Sequence, residues 1–196
     1  TGLAMAYAGA ARQTAAEMEQ VLHLGTEPGI HTAFGDLLDS IASHNDEESI
    51  RPTLLAVANA IWPDDGLTVE QDFLDLIQGE YDGHVQSVDY ANPLQAQNII
   101  NQWIAQRTAG KIPNLVSNLS PATPMVLTNA VYFNGYWDRP FDPQYTALRP
   151  FELSTGEVIF TPTMYTESYT APYRVFDGVA VLEMPFDDGA NGADYS

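Results

Sequence analysis

The chain has no cysteine among its 196 residues, which excludes disulfides, thiol catalysis and thiolate metal sites together. No uninterrupted apolar run approaches the ~18 residues that a membrane-spanning helix needs, so we do not expect a membrane as a partner. Basic residues are scarce as well, because 7 Lys and Arg oppose 26 Asp and Glu, giving a formal charge of −19. A field of this sign repels phosphate backbones, so nucleic acid is not an expected partner either.

Motifs of common catalytic and nucleotide-binding sites are also missing. The sequence contains no GxSxG, HExxH, P-loop or GxGxxG pattern. A group of acidic and amide side chains between residues 187 and 194 lacks the spacing and the terminal Glu of a calcium loop, and a solvated turn is the better interpretation. The four histidines lack metal-ligand spacing and are interpreted as structural residues: His23, His31, His44 and His84. We therefore expect no catalytic residue, no metal site and no cofactor, and we do not expect an enzyme.

The composition that remains is that of a globular protein. Hydrophobic residues make up 45% of the chain and aromatic residues 11%, which separates it from disordered sequences. No linker-like segment, internal repeat or low-complexity tract divides it. We expect residues 1–196 to form one domain or part of one.

Helical patterns dominate the first half of the chain. Thr14 and Glu17 form a capping-box pattern ahead of apolar residues at helical spacing, and Pro93 marks the first position of a later helix. From Phe151 onward, short β-strand patterns alternate with turns rich in Gly and Asp. This order of helices, mixed elements and antiparallel hairpins predicts an α+β fold rather than an alternating βα fold.

Two predicted strands each carry one amide within an apolar run. Asn59 lies in the run from Thr53 to Trp62, and Asn129 lies in the run from Thr123 to Trp137. Both faces of the second run are largely apolar, which predicts a central strand. A buried amide must be hydrogen-bonded or it costs a few kcal/mol. Asn129 therefore indicates a site where something is held or released.

The same region resembles a known family. LTNAVYFNGYW, followed by Pro140-Phe141-Asp142-Pro143, closely resembles the third strand of the large sheet in serpins, the serine protease inhibitor superfamily. Residues 3–22 resemble the second and third serpin helices, residues 100–116 resemble the sixth helix, and FTPTMY and VLEMPF resemble later strands. The resemblance implies a partial serpin fold, with several helices packed on a large mixed β-sheet and additional antiparallel sheets.

The resemblance also assigns roles to four residues. Asn129 matches the family's shutter asparagine, which lies beneath the point where the third and fifth strands of the large sheet part. Trp137 matches the breach tryptophan at the top of that opening, and Phe133 and Gly135 match packing positions between the two. The alternative is that all four residues serve only the core, since aromatic and glycine residues in strands often serve packing alone.

Two functions are compatible with the resemblance. The first is inhibition of a serine or, by cross-class action, a cysteine protease: the protease cleaves an exposed reactive loop, which then inserts as a new strand into the large sheet. The second is a non-inhibitory serpin that acts as a carrier, chaperone or storage protein. A hydrolase with an unrecognised triad is a third reading, and no nucleophile motif supports it.

The resemblance covers the first part of a serpin domain and ends before the reactive loop, which is not in this chain. We expect residues 1–196 alone not to inhibit a protease. We also expect association with a missing C-terminal segment or with another chain, since an uncovered strand edge beside apolar residues invites association. The expected location is extracellular or periplasmic rather than cytoplasmic.

Overall fold

A computed structural model describes residues 1–24, 29–45, 54–167 and 170–187. Contacts divide the chain into two units. The first unit consists of Thr1–Asn45 and Leu54–Phe133, and the described part of the second comprises residues 134–167 and 170–187. Most of the acidic group predicted to form a solvated turn, residues 188–194, lies outside the described residues.

Helices are the main regular elements in the described part of the first unit. They are α1 (Gly2–Ala8), α2 (Arg12–Leu22), α3 (Ile30–Ser43), α4 (Gln71–Tyr81) and α5 (Pro93–Arg107). Pro93 opens α5 with Asn92 as its N-cap, as predicted, because the fixed φ of proline suits the first helical turn and its missing N–H is not needed there.

The capping-box prediction for Thr14 is wrong. Helix α2 begins at Arg12 with Ala11 as its N-cap, so Thr14 lies within the first helical turn. The carboxylate of Glu17 accepts a hydrogen bond from Nε2 of Gln13 at 2.8 Å, and this i, i+4 contact takes the place of a capping contact.

Three strands form one mixed sheet, as predicted: β1 (Leu54–Pro63), β2 (His84–Val85) and β3 (Met125–Asn134), in the order β2-β1-β3. Strands β1 and β2 are parallel, with Ala60 opposite His84. The end of β1 lies beside the beginning of β3, because the Asp64 N–H donates to the Pro124 carbonyl at 2.9 Å. Strands β1 and β3 therefore run in opposite directions.

Among the described strands, β1 and not β3 is the middle one. The serpin resemblance implies a further neighbour of β3, the fifth strand of the large sheet, on its other side, so the prediction that the Asn129 strand is central stays a prediction. On β3, Val131 is 54% and Phe133 42% exposed, whereas β1 is buried from Ala58 to Trp62. An apolar run indicates that the side chains of a strand are suited to burial, but it does not indicate whether both edges of the strand are paired.

Helices cover both faces of this sheet. On one face, Ala58, Ala60 and Trp62 pack against apolar residues of α5. On the other face, Ile61 packs against residues of α1 and α4, including Met5. Successive residues of a strand point to opposite faces, so Asn59 projects toward the layer that contains α1 and α4.

The second unit contains two antiparallel hairpins in its described part. Strand β4 (Ala147–Glu152) pairs with β5 (Val158–Thr163), and β6 (Tyr173–Phe176) pairs with β7 (Val179–Leu182). Gly156 and Gly178 turn these hairpins at φ values of 81° and 77°, a conformation that glycine adopts without strain. The predicted hairpin region is confirmed, although its first strand begins four residues earlier than the predicted start at Phe151.

Candidate functional site

Two asparagine side chains join β3 to β1 and to the neighbouring helices. Nδ2 of Asn129 on β3 donates to Oδ1 of Asn59 on β1 at 2.8 Å and to Oγ1 of Thr1 at 2.9 Å. Nδ2 of Asn59 donates to the main-chain carbonyl of Tyr81, the last residue of α4, at 2.9 Å. We call Thr1, Asn59, Tyr81 and Asn129 the amide network. It joins β1 and β3 to the start of α1 and the end of α4.

The loss of a hydrogen-bonding partner in the amide network is costly because two of its members are buried. Asn59 is 2% exposed and Tyr81 is fully buried, so water cannot replace a lost partner there. A typical hydrogen bond contributes about 0.5–1.5 kcal/mol to stability, whereas a buried polar group left unpaired costs about 1–3 kcal/mol. Removing one member of the network is therefore more costly than the bonds alone would suggest.

Gly2 lets α1 approach the network closely. A Cβ atom built on Gly2 would lie 2.9 Å from Cβ of Asn129 and 3.5 Å from its Cγ. Separations under about 3 Å are shorter than two carbon atoms tolerate, since their optimum is about 3.5–4.0 Å. The missing side chain at residue 2 therefore sets how closely the first turn of α1 lies against β3.

A second hydrogen bond ties β3 to β1 on the opposite face. Nε1 of Trp62 donates to Oγ1 of Thr128 at 3.0 Å, and both residues are buried. The hydroxyl of Tyr90 donates to the Trp62 carbonyl at 2.8 Å, and burial raises the pKa of Tyr90 to about 12, so that it is neutral. Because residues 128 and 129 point to opposite faces, polar side chains hold β3 to β1 on both faces of the sheet.

The Trp62 contact gives a direct prediction. Thr128→Val preserves the shape of the side chain and removes its hydroxyl, which leaves the buried indole N–H without its acceptor. We expect the free energy of unfolding of the full-length protein to fall by about 1–3 kcal/mol, measured by urea denaturation. Thr128→Ser is the control, because it keeps the hydroxyl and loses only a methyl group. Equal losses in the two variants would contradict a role for the hydrogen bond.

The hydroxyl of Tyr81 makes a further contact, with α3. It lies 2.6 Å from Nδ1 of His31, and burial, assisted by the charge of Glu80, raises the pKa of Tyr81 to about 12. Burial also lowers the pKa of His31, although the Glu80 carboxylate opposes this effect. Both groups are therefore stabilised in their neutral forms.

Trp137 and Gly135, two of the four residues singled out in the sequence, belong to the second unit. The Trp137 ring stacks on Phe186 with centroids 4.4 Å apart and 12° between the planes, and the Asp138 N–H donates to the Pro185 carbonyl at 3.0 Å. Gly135 follows β3 and is half-buried. The breach role of Trp137 and the packing role of Gly135 stay predictions.

Phe133 lies on β3, four residues after Asn129 and on the same side of the strand. It is 42% exposed, so it contributes little to the described core of the first unit. Its packing role stays a prediction, as does the shutter role of Asn129.

The sequence alone did not reveal the partners of Asn129. Asn59, like Asn129, is a single amide within an apolar run. The presence of one such amide in each of two predicted strands was the feature of the sequence that could have indicated their pairing. Thr1 and Gly2 carried no such signal, because their importance arises from contacts with a residue more than a hundred positions away.

The described residues hold neither a metal-binding cluster nor a membrane-spanning helix. No group of three or more His, Asp or Glu side chains is arranged there to hold a metal ion. Within the same residues, no helix is both long and apolar enough to cross a membrane.

Comparison with protein families assigns the chain to a family. The model for Serpin (serine protease inhibitor) matches residues 1–194. The chain belongs to the serpin family, and the resemblance read from LTNAVYFNGYW is confirmed.

Individual relatives agree with this assignment. An uncharacterized serpin-like protein of Thermococcus kodakarensis is 37% identical over 95% of this chain and 43% of its own length. The leukocyte elastase inhibitor of Xenopus laevis is 28% identical over 96% of this chain and 50% of its own length. The chain thus spans no more than half the length of these relatives.

Solved structures confirm the predicted α+β serpin fold. The crystal structure of Manduca sexta serine protease inhibitor (serpin)-12 superposes with a TM-score of 0.81 at 29% identity. The match covers 95% of this chain and 51% of the other.

Proposed function

We propose that the protein to which this chain belongs inhibits serine-type endopeptidases or, by cross-class action, cysteine proteases. A reactive loop outside residues 1–196 would be cleaved by the target and would then insert as a strand into the sheet that contains β3. Membership of the serpin family supports this proposal, as does the relative named leukocyte elastase inhibitor. The structural observation that carries it is the attachment of β3 to β1 by side-chain hydrogen bonds on both faces of the sheet.

An inserting strand needs an edge with which to pair. Among the described strands, β1 is the neighbour of β3. In this proposal, the fifth strand of the large sheet lies on the other side of β3, and these two strands part to admit the loop. When a strand is added to the edge of a sheet, main-chain donors and acceptors are satisfied along the whole length of that edge. In this proposal, insertion exchanges a sheet whose third and fifth strands can part for one that is more fully paired.

Insertion beside β3 also requires that β3 keep its place against β1. The Asn129–Asn59 bond on one face and the Trp62–Thr128 bond on the other face supply that attachment. Both bonds lie on the β1 side of β3, so they resist separation of these two strands without occupying the opposite edge. In this proposal, the amide network directs opening of the sheet to the edge where the loop enters.

The proposal is tested with the full-length protein and a trypsin-like or chymotrypsin-like serine protease. We expect loss of protease activity together with a complex that survives SDS, since the cleaved loop stays acylated to the protease serine. A protease whose nucleophilic serine is replaced by alanine is the control, and it should form no such complex. Complete cleavage of the protein by several such enzymes, with full protease activity retained, would contradict the proposal and favour a non-inhibitory serpin.

A further inference from the structure

A continuous path of polar contacts connects α3 with β3. Nδ1 of His31 on α3 lies 2.6 Å from the hydroxyl of Tyr81. The main-chain carbonyl of that tyrosine accepts from Asn59 at 2.9 Å, and Asn59 accepts from Asn129 at 2.8 Å. Tyr81 therefore holds α3 through its side chain and the amide network through its main chain.

The His31 contact depends on the protonation state of the imidazole. Tyr81 is fully buried and keeps its phenolic proton. Nδ1 of His31 is the acceptor that the described residues offer this proton. The neutral tautomer in which the hydroxyl donates and Nδ1 accepts is therefore the one that leaves no buried proton unpaired. An imidazole nitrogen can accept only while it carries no proton, and both ring nitrogens of the cationic form are donors. Protonation of His31 would therefore oblige the Tyr81 hydroxyl to turn and would leave its buried proton without this acceptor.

Three helices place groups that can titrate or carry charge near His31. From α1, the ring of Tyr7 stacks on the imidazole at 5.8 Å, and its hydroxyl donates to Glu19 of α2 at 2.5 Å. From α4 come Glu80 and Tyr81. Strand β1, which also packs on α3, has no titratable residue.

The direction of the pH effect follows from these surroundings. Burial holds the pKa of His31 below its ordinary value of 6.5, with Glu80 as a weaker opposing influence. A group whose pKa is lowered by folding takes up protons more readily when the structure opens. The stability that neutral His31 contributes is therefore fully present above pH 6.5 and is lost as the pH falls through the lowered pKa.

We propose that His31 is a positioning residue for the amide network, and that its protonation releases Tyr81 and loosens β3. The coupling is a property of the fold, whereas its effect on protease inhibition rests on the proposed function. In an inhibitor, acidic conditions would weaken the attachment of β3 to β1 and so favour inactive forms with an altered sheet.

Hydrogen exchange of the full-length protein, without any protease, tests this inference. Amide exchange in peptides covering residues 125–134 is compared between wild type and His31→Gln at the same pH, so that the intrinsic pH dependence of exchange cancels. Glutamine retains an acceptor oxygen and does not titrate. We expect similar exchange at about pH 7.5, and exchange about tenfold faster in wild type than in the variant at about pH 5.5.

Two further variants make the result decisive. Tyr81→Phe removes the donor, so it should also lack the acid-induced acceleration. His44→Gln is the matched control, because His44 follows the last residue of α3 and its Nδ1 lies 2.5 Å from the Ser40 carbonyl; it should behave as wild type. A wild-type to His31→Gln ratio that does not change with pH, or a His44→Gln effect of equal size, would overturn the inference. Neither result depends on whether the protein inhibits a protease.

Discussion

Asn129→Ala is expected to lower the free energy of unfolding of the full-length protein by about 2–4 kcal/mol. The substitution removes the bonds to Asn59 and Thr1 and leaves the oxygen of a nearly fully buried Asn59 amide without its donor. Urea denaturation measures the loss, and the m-value shows whether the unfolded state has changed as well. We also expect conversion to latent or polymeric forms during mild heating, visible on native gels.

Asn114→Ala is the matched control for this prediction. Asn114 is exposed in the loop after α5, and its replacement should change the stability by less than about 0.5 kcal/mol. Equal stability of the Asn129→Ala variant and wild type, with unchanged inhibition stoichiometry, would show that the amide is not required to hold β3.

Gly2→Ala is expected to destabilise the protein by about 1–3 kcal/mol. Alanine is normally the better helix former, but here its methyl group would lie 2.9 Å from Cβ of Asn129. Either α1 or β3 must then move, and movement of either lengthens the bond between Thr1 and Asn129. Thermal unfolding of the full-length protein measures this effect.

Gly79→Ala is expected to have the opposite effect and to stabilise the same protein. Gly79 lies inside α4, and a Cβ built there meets no atom within 4 Å, so alanine should stabilise the helix by up to about 1 kcal/mol. A stabilising effect of both substitutions would show that α1 does not approach β3 as closely as the structure indicates.

Local patterns in the sequence predicted much of this fold. Features that depend on residues near one another in the chain were predictable. They include the order of helices and hairpins, the start of α5 at Pro93 and the serpin resemblance of the Asn129 strand. The capping-box prediction failed because a helix can begin earlier than a favourable capping pattern: α2 starts at Arg12, ahead of Thr14.

The site was predictable only in part. An amide in an apolar strand must have a partner, and this reasoning correctly singled out Asn129 as a polar group in need of one. Its partners lie 70 and 128 residues away, and no local pattern encodes such pairings. Strand order is likewise decided by pairing between distant segments and not by the apolar run itself.

Asn59 and Asn129 act as one hydrogen-bonded unit that attaches β3 to β1. A double-mutant cycle of Asn59→Ala and Asn129→Ala in the full-length protein, followed by urea denaturation, measures their coupling directly. We predict that the double variant loses less stability than the sum of the single losses, with a coupling of about 1 kcal/mol or more. Additivity within about 0.3 kcal/mol would contradict this account.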